Sequence, residues 1–272
     1  MRRTGRTALS SPGRRTPGPR PYFSLPLPRV LAHRGLAMGA PEGTRLAFLK
    51  ALAAGASYLE VDVRASRDGV AVVWHDEDLL RLTGRPDLVA DLSFAQLSAI
   101  DLGVGQRVCS LAALLDTFPE ARLNIDIKSP GAVRPTVAAI RAARAVDRVL
   151  ITSFSERRRS AAVGLLTGVA TSASSSRAIV AVIAAKLGLF PVMRLALRDI
   201  QAVQLPVRSM GVTVATRRMV ERFHAVGVEM HIWTVNDRAT MERLLDMGID
   251  GIVTDRADVA ARLVLDRLPQ KR

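Results

Sequence analysis

The densest chemistry in the sequence lies between residues 58 and 76. Glu60 and Asp62 stand two apart in an otherwise apolar run, Tyr58-Leu59-Glu60-Val61-Asp62-Val63. Side chains of a strand alternate between its faces, so the two carboxylates share one face and Leu59, Val61 and Val63 line the other. Asp68-Gly69 then signals a turn between two apolar runs. The returning run Val70-Ala71-Val72-Val73-Trp74 brings His75 and Asp76 alongside. Unpaired buried carboxylates cost roughly several kcal/mol, so a cation is expected between them. Farther on, Asn124, Asp126 and Lys128 share one face of a strand over 122–128. His33-Arg34 closes a short strand at 30–32, and Trp233-Thr234-Val235-Asn236 ends another over 228–235.

If these strand ends converge, three carboxylates meet two histidines, an arginine and a lysine. Carboxylate oxygens suit a hard dication such as Mg²⁺ or Ca²⁺. A metal flanked by Arg and Lys makes an anion site, most naturally for phosphate. Two histidines titrating near neutrality serve as general acid and general base. The reaction class that uses this set is metal-assisted phosphodiester cleavage. Other polar residues read more plainly. His224 and His231 are expected to be satisfied core residues, and Asp76 an orienter of His75 or a turn cap. Asp68 and Asp91 read as turn residues, and 156–159 as a solvated helix start. Trp233 is balanced between core packing and a substrate wall.

The elements that must position these residues alternate regularly. Strands are expected at 30–32, 58–63, 70–76, 122–128, 149–153, 168–171, 202–205, 228–235 and 251–254. Helices are expected at 44–54, 111–118, 133–145, 217–226, 239–247 and 259–268, with an excursion at 77–108 that holds a short helix near 93–99. The apolar segment 178–197 reads as a helix or helix pair broken at Pro191, amphipathic enough to touch a membrane surface, with core packing its expected use. Strands alternating with helices imply parallel βαβ units. Eight of them suggest an α/β fold of the (β/α)8 TIM-barrel type with a small insertion after the second strand. A doubly wound open sheet is the alternative.

Composition bounds the function. At 272 residues and 49% hydrophobic, the chain has ample core for one large domain. The formal charge of +14 suggests nucleic acid until it is located. Arg2, Arg3, Arg6, Arg14, Arg15, Arg20 and Arg29 precede the first apolar strand with no acid among them. Residues 1–28 therefore read as a disordered Arg/Pro-rich leader, with the catalytic domain over 29–268. The leader has no apolar run of signal-peptide type, and no later stretch is long and uncharged enough to span a bilayer, so a cytoplasmic protein is expected. The single cysteine, Cys109, excludes an intramolecular disulfide or a CxxC metal site.

Six ordered motifs carry a family likeness: His33-Arg34-Gly35, Pro41-Glu42-Gly43-Thr44, Glu60-Val61-Asp62, His75-Asp76, Asn124-Ile125-Asp126-Ile127-Lys128 and Trp233-Thr234-Val235-Asn236. Together with Gly248-Ile249-Asp250-Gly251-Ile252-Val253-Thr254-Asp255, they resemble the glycerophosphodiester phosphodiesterase family over roughly residues 29–265. The resemblance implies a (β/α)8 barrel that hydrolyses glycerophosphodiesters to an alcohol and glycerol 3-phosphate with a divalent metal ion. It implies His33 and His75 as the acid/base pair and Glu60, Asp62 and Asp126 as metal ligands. It also implies Arg34 and Lys128 as phosphate contacts, and Trp233 as a wall for the glycerol or head group. Gly43 stands where the family usually has asparagine, Asp126 where many relatives have glutamate, and Cys109 and Ala257 where prolines are common.

The expected partner is a small glycerophosphodiester, with no specific nucleic acid and with peripheral membrane contact left open. Which histidine is acid, which ion binds, whether water or a substrate hydroxyl attacks, and the oligomeric state are not legible. Two alternatives stand beside this reading: a lysophospholipase D-type lipid diesterase at a membrane surface, and a non-catalytic barrel that binds phosphate or nucleic acid.

Overall fold

The computed structural model describes residues 21–209 and 211–267. The expected disorder of residues 1–20 lies outside the described residues. Eight parallel strands form the frame: β1 (Arg29–His33), β2 (Tyr58–Ala65), β3 (Arg122–Ile127), β4 (Val149–Thr152), β5 (Ala170–Thr171), β6 (Ala202–Pro206), β7 (Glu229–Trp233) and β8 (Gly251–Thr254). They pair in the order β5-β4-β3-β2-β1-β8-β7-β6, and a bridge from Ser172 to Ala202 joins the two ends. The result is the expected (β/α)8 barrel; the open doubly wound sheet does not form.

Among the described residues nine helices wrap these strands: α1 (Arg45–Ala53), α2 (Leu111–Thr117), α3 (Val133–Ala142), α4 (Glu156–Leu165), α5 (Ser175–Leu187), α6 (Phe190–Ala196), α7 (Arg217–His224), α8 (Arg238–Asp246) and α9 (Ala257–Arg267). Their starts are set by short polar side chains. Thr44, Ser110, Ser155, Thr216 and Asp237 each accept a hydrogen bond from the backbone N–H three residues on, which satisfies a donor the first turn leaves orphaned.

Strand alternation sorts the interior. Leu59, Val61, Val63, Leu123, Ile125 and Ile127 point outward into the helix-lined core. The opposite faces stack inside the barrel. Parallel register sets Glu60 level with Asn124 and Asp62 level with Asp126. At the strands' N-terminal end the interior is plugged by Tyr22, Leu31 and Tyr58. The polar layer at the other end therefore has a sealed floor beneath it.

That plug corrects two expectations. Residues 21–28 depart from the leader expected over 1–28: Pro21–Phe23 form a 3-10 turn, and Tyr22 is buried with its ring 4.9 Å from that of Tyr58. Arg29, grouped by charge with the leader arginines, is 2% exposed. Its guanidinium forks onto Glu229 with two bonds of 2.7 Å and also donates to the Tyr58 hydroxyl and the Leu25 and Phe23 carbonyls. A buried cation persists only where pairing and hydrogen bonds replace its water, and here all three guanidinium nitrogens find partners.

The return run pairs antiparallel with β2 over Ala71–Val73. The insertion then builds two small hairpins, Asp78–Leu79 with Arg85–Leu88 and Asp101–Gly103 with Gln106–Arg107, around the helix Phe94–Ser98. Trp74, Leu79, Val89 and Leu97 give it a separate apolar core. The 178–197 segment is a helix pair, but the break falls at Gly188, which has φ +74°, and Pro191 sits in the first turn of α6 where its missing N–H costs nothing. Among the described residues no helix is long and apolar enough to cross a membrane.

Candidate active site

The C-terminal ends of the strands open into a cavity of about 570 Å³. His33, Arg34, Glu60, Asp62, His75, Asp126, Lys128 and Trp233 all line it, so every site residue expected from the sequence reaches one chamber. Its floor is a cross-barrel amide pair that the sequence did not reveal. Gln204 Nε2 donates to Asn124 Oδ1 at 3.1 Å, and Asn124 Nδ2 returns a bond of 3.4 Å.

The acidic side chains divide. Ligand atoms of His33, Glu60 and Asp62 lie within 4.8 Å of one another, close enough for one ion. Asp126 is outside that group, although it is level with Asp62 on the neighbouring strand. Between those two carboxylates sits Lys128, with Nζ 2.9 Å from Asp62 Oδ1 and 2.7 Å from Asp126 Oδ2. The expected trio of acids is thus split by a lysine, and His33 lies within reach of the remaining pair.

Charge in this layer is only half compensated. Burial, and then the like charge of Asp62, push the Glu60 carboxyl up to about 8. Burial also raises Asp126, with Lys128 opposing. Burial pulls Lys128 down, but the two aspartates outweigh it and hold the ammonium above its usual value. Asp62 Oδ2 and Asp126 Oδ1 are buried without a hydrogen-bond partner. Arg34 Nε lies 3.0 Å from Asp62 Oδ2 yet is misaligned for a hydrogen bond, so both atoms remain unsatisfied. Orphaned carboxylate oxygens are costly unless a cation completes them. The donor set, made up chiefly of carboxylate oxygens, fits a hard divalent ion.

Each expected acid/base histidine is held by an aspartate. His33 Nδ1 meets Asp255 Oδ1 at 2.7 Å, and Asn236 Nδ2 donates to the other oxygen of Asp255 at 2.6 Å. Burial opposes the charged imidazole of His33, but the Asp255 bond and the charge of Glu60 outweigh it and raise its pKa. The bond to His33 in turn keeps Asp255 below the usual carboxylate range. His75 Nδ1 meets Asp76 Oδ1 at 2.7 Å, which bears out Asp76 as an orienter. With Nδ1 engaged in both rings, any proton transfer or ligation falls to Nε2.

A second relay ties the insertion to the site. Arg81 Nε donates to Asp76 at 2.6 Å, and its other two nitrogens fork onto Glu42 at 2.9 and 2.6 Å. Glu42 also accepts from Arg34 at 3.0 Å. Arg34 itself has φ +55°, a left-handed conformation held by its backbone N–H bonds to the carbonyl and carboxylate of Glu60, both 3.2 Å. The loop returns through Gly43, at φ +67°, whose N–H donates to the Arg34 carbonyl. Glycine is suited to that conformation, so the missing asparagine does not open the loop.

Of the functional residues the sequence left without a role, Asp255 had a signal, since it directly follows the eighth strand. Glu42 stood in the Pro41-Glu42-Gly43-Thr44 motif, whereas Arg81 had no signal, because its pairing depends on the insertion's path. Trp233 lines the cavity in edge contact with Phe154, rings 5.8 Å apart. His231 is fully buried, as expected, with Nε2 3.0 Å from Glu229, but it is not fully satisfied, since its buried Nδ1 finds no hydrogen-bond partner among the described residues. His224 is not core: it is exposed on α7 and reaches Asp250 at 2.8 Å. The helix start at 156–159 is not wholly solvated either. Arg159 is buried, and Glu156 accepts from Arg159, Arg177 and Ser174. Cys109 is a buried free thiol pushed up to about 11 by burial.

Comparison with known proteins agrees with this geometry. Residues 33–259 match the model of the "Glycerophosphoryl diester phosphodiesterase family". The chain is 43% identical over 240 residues to the "Probable glycerophosphodiester phosphodiesterase 2" of Mycobacterium tuberculosis, covering 88% of this chain and 91% of that one. It is 30% identical over 253 residues to a glycerophosphodiester phosphodiesterase of Caldanaerobacter subterraneus, covering 86% and 97%. Its fold matches an Oleispira antarctica phosphodiesterase solved with the product sn-glycerol-3-phosphate, with a TM-score of 0.72, 22% identity, and coverage of 88% and 97%.

Proposed function

The chain belongs to the glycerophosphoryl diester phosphodiesterase family, and from that membership we propose that it hydrolyses glycerophosphodiesters to an alcohol and glycerol 3-phosphate with the help of a divalent cation. One observation carries the cation: buried carboxylate oxygens of Asp62 and Asp126 accept no hydrogen bond among the described residues, beside a Glu60 that burial discourages from ionising. Glu60 and Asp62 would hold the ion, with Asp126 reached across Lys128. When bound, it would draw negative charge off the phosphate oxygens.

The chain's own residues do the rest. Arg34 and Lys128 offset charge that builds on the phosphate in the transition state. The Nε2 of one imidazole takes a proton from the attacking water as the new P–O bond forms; where a glycerol hydroxyl attacks instead, the cyclic phosphate that results is opened by a water in a second such exchange to give glycerol 3-phosphate. The second imidazole gives a proton to the departing alkoxide as the old bond breaks. Asp255 and Asp76 hold the two rings in place for this exchange. Trp233 and Phe154 form the wall against which the alcohol lies.

A coupled assay of glycerol 3-phosphate release across several glycerophosphodiesters, with and without EDTA, tests the reading. Release that EDTA abolishes and added Mg²⁺ or Ca²⁺ restores is expected. Full turnover in EDTA would remove the cation from the proposal, and no release from any diester would remove the reaction. A second reading, an acylated diester of the lysophospholipid class, is favoured by the apolar side chains of Ile179, Val182 and Ile183 along the cavity wall. Faster cleavage of lysophosphatidylcholine than of glycerophosphocholine would select it.

A further inference from the structure

The helix pair α5–α6 carries a surface that the proposed chemistry does not use. On α5 the buried stripe is small, with Ala178, Ala181, Ala184 and Ala185 against the barrel. The outward stripe is large and apolar. Ile179, Ile183 and Leu187 recur every fourth residue and so lie on one face; the first two are each 54% exposed and Leu187 is 67% exposed. Leu195 on α6 extends the stripe at 72%. Large apolar residues gathered at this exposure mark an interaction surface rather than ordinary scatter.

Two observations say what covers it. First, Ile179 and Ile183 also line the catalytic cavity, as does Lys186, so the stripe runs without interruption into the mouth. Second, the unpaired charges on the helix pair have one sign, although Glu156 and Asp199 beyond its two ends pair with Arg159, Arg177 and Arg198. From residue 157 to 198 the sequence holds seven basic side chains and no Asp or Glu. Lys186 and Arg194 lie exposed among the apolar residues with no acidic partner among the described residues. An apolar ridge bordered by unpaired cations fits the interface of an anionic bilayer, where the side chains enter the acyl boundary and the cations meet lipid phosphates.

We propose that α5–α6 is a docking face for an anionic phospholipid membrane, seating the mouth of the cavity on the lipid surface. This deepens the proposed function, on which it rests, by placing the enzyme where glycerophosphodiesters are released or still acylated. The test is flotation of the full chain with vesicles of phosphatidylglycerol and phosphatidylcholine, against phosphatidylcholine alone. Its comparison is L187E/L195E, two positions that do not line the cavity. The parent should float with the anionic vesicles only, and the variant's partition should fall at least about tenfold, since each glutamate opposes both apolar insertion and lipid charge. The variant should keep the parent's melting temperature and its release of glycerol 3-phosphate from soluble glycerophosphocholine. Equal flotation of parent and variant would overturn the docking face, as the basic leader would then suffice. Failure of the parent to float would overturn it too, as would a parent dimer that dissociates in the variant, since a second copy would then cover the stripe. Inactivity of both proteins on the soluble diester would instead count against the reaction.

Discussion

His33 and His75 occupy matched settings, each with Nδ1 on an aspartate and Nε2 left free for the chamber. Proton transfer by a positioned side chain is worth about 10²–10⁴-fold. His33→Ala and His75→Ala should therefore each lower kcat at least about a hundredfold while circular dichroism stays unchanged. Because His33 also stands in the group able to hold an ion, cation affinity should be measured on the same variant. Retained affinity with lost turnover is expected; loss of both would make His33 a ligand. Glu60 yields a pH prediction. Its value of about 8 in the folded protein stands above the ordinary 4.5. The native state without a cation therefore holds a proton that the unfolded chain gives up as pH rises across that window. In EDTA, stability should fall between about pH 4.5 and pH 8, and Glu60→Gln should flatten the decline in thermal melts. The identities of these residues were legible in the sequence, as alternation alone put Glu60 with Asp62 and Asn124 with Asp126. The split of the acids by Lys128 was not, since it depends on distances across two strands.

At the scale of elements, the insertion is more than a cover. Arg81 lies in its first turn and joins Asp76, behind His75, to Glu42, which bonds Arg34. One guanidinium thus couples the position of the proposed acid/base imidazole to that of the proposed phosphate contact. Arg81→Ala should lower kcat/KM by about 10-fold or more, the usual cost of losing an outer partner at such a site. Arg81→Lys should not restore it, because an ammonium lacks the planar fork that meets two carboxylates at once. Restoration by lysine would reduce Arg81 to a point charge. Element types and order were largely readable, since caps such as Thr44 and Ser110 and the apolar periods are local signals. The break in the 178–197 segment was misplaced at Pro191, because a proline in a first turn starts a helix as readily as it ends one. The core packing expected of that segment holds for its alanines, which pack on the barrel, while Ile179, Ile183, Leu187 and Leu195 face out.

The whole molecule separates stability from function along the barrel axis. At one end Tyr22, Tyr58, Arg29 and Glu229 seal the interior with paired charge. At the other, carboxylates are left incompletely paired. Removing one partner of a buried ion pair costs about 3–5 kcal/mol. Arg29→Ala should thus lower the melting temperature by about 2–4 °C per kcal/mol lost, with little effect on kcat at 25 °C. A loss of activity without a loss of stability would contradict that division of labour. Composition hid this, because seven arginines in a row of acid-free sequence read alike until one of them enters a strand. The unpaired end can be tested without substrate. Titration calorimetry of Mg²⁺ or Ca²⁺ into the EDTA-treated, dialysed protein near pH 7, in buffers of different ionisation enthalpy, reports both the ion and the proton it displaces. A single site that expels about one proton per ion, and that vanishes in Asp62→Asn, is the expected result. No binding, or binding of equal strength in the variant, would contradict a cation held by these carboxylates.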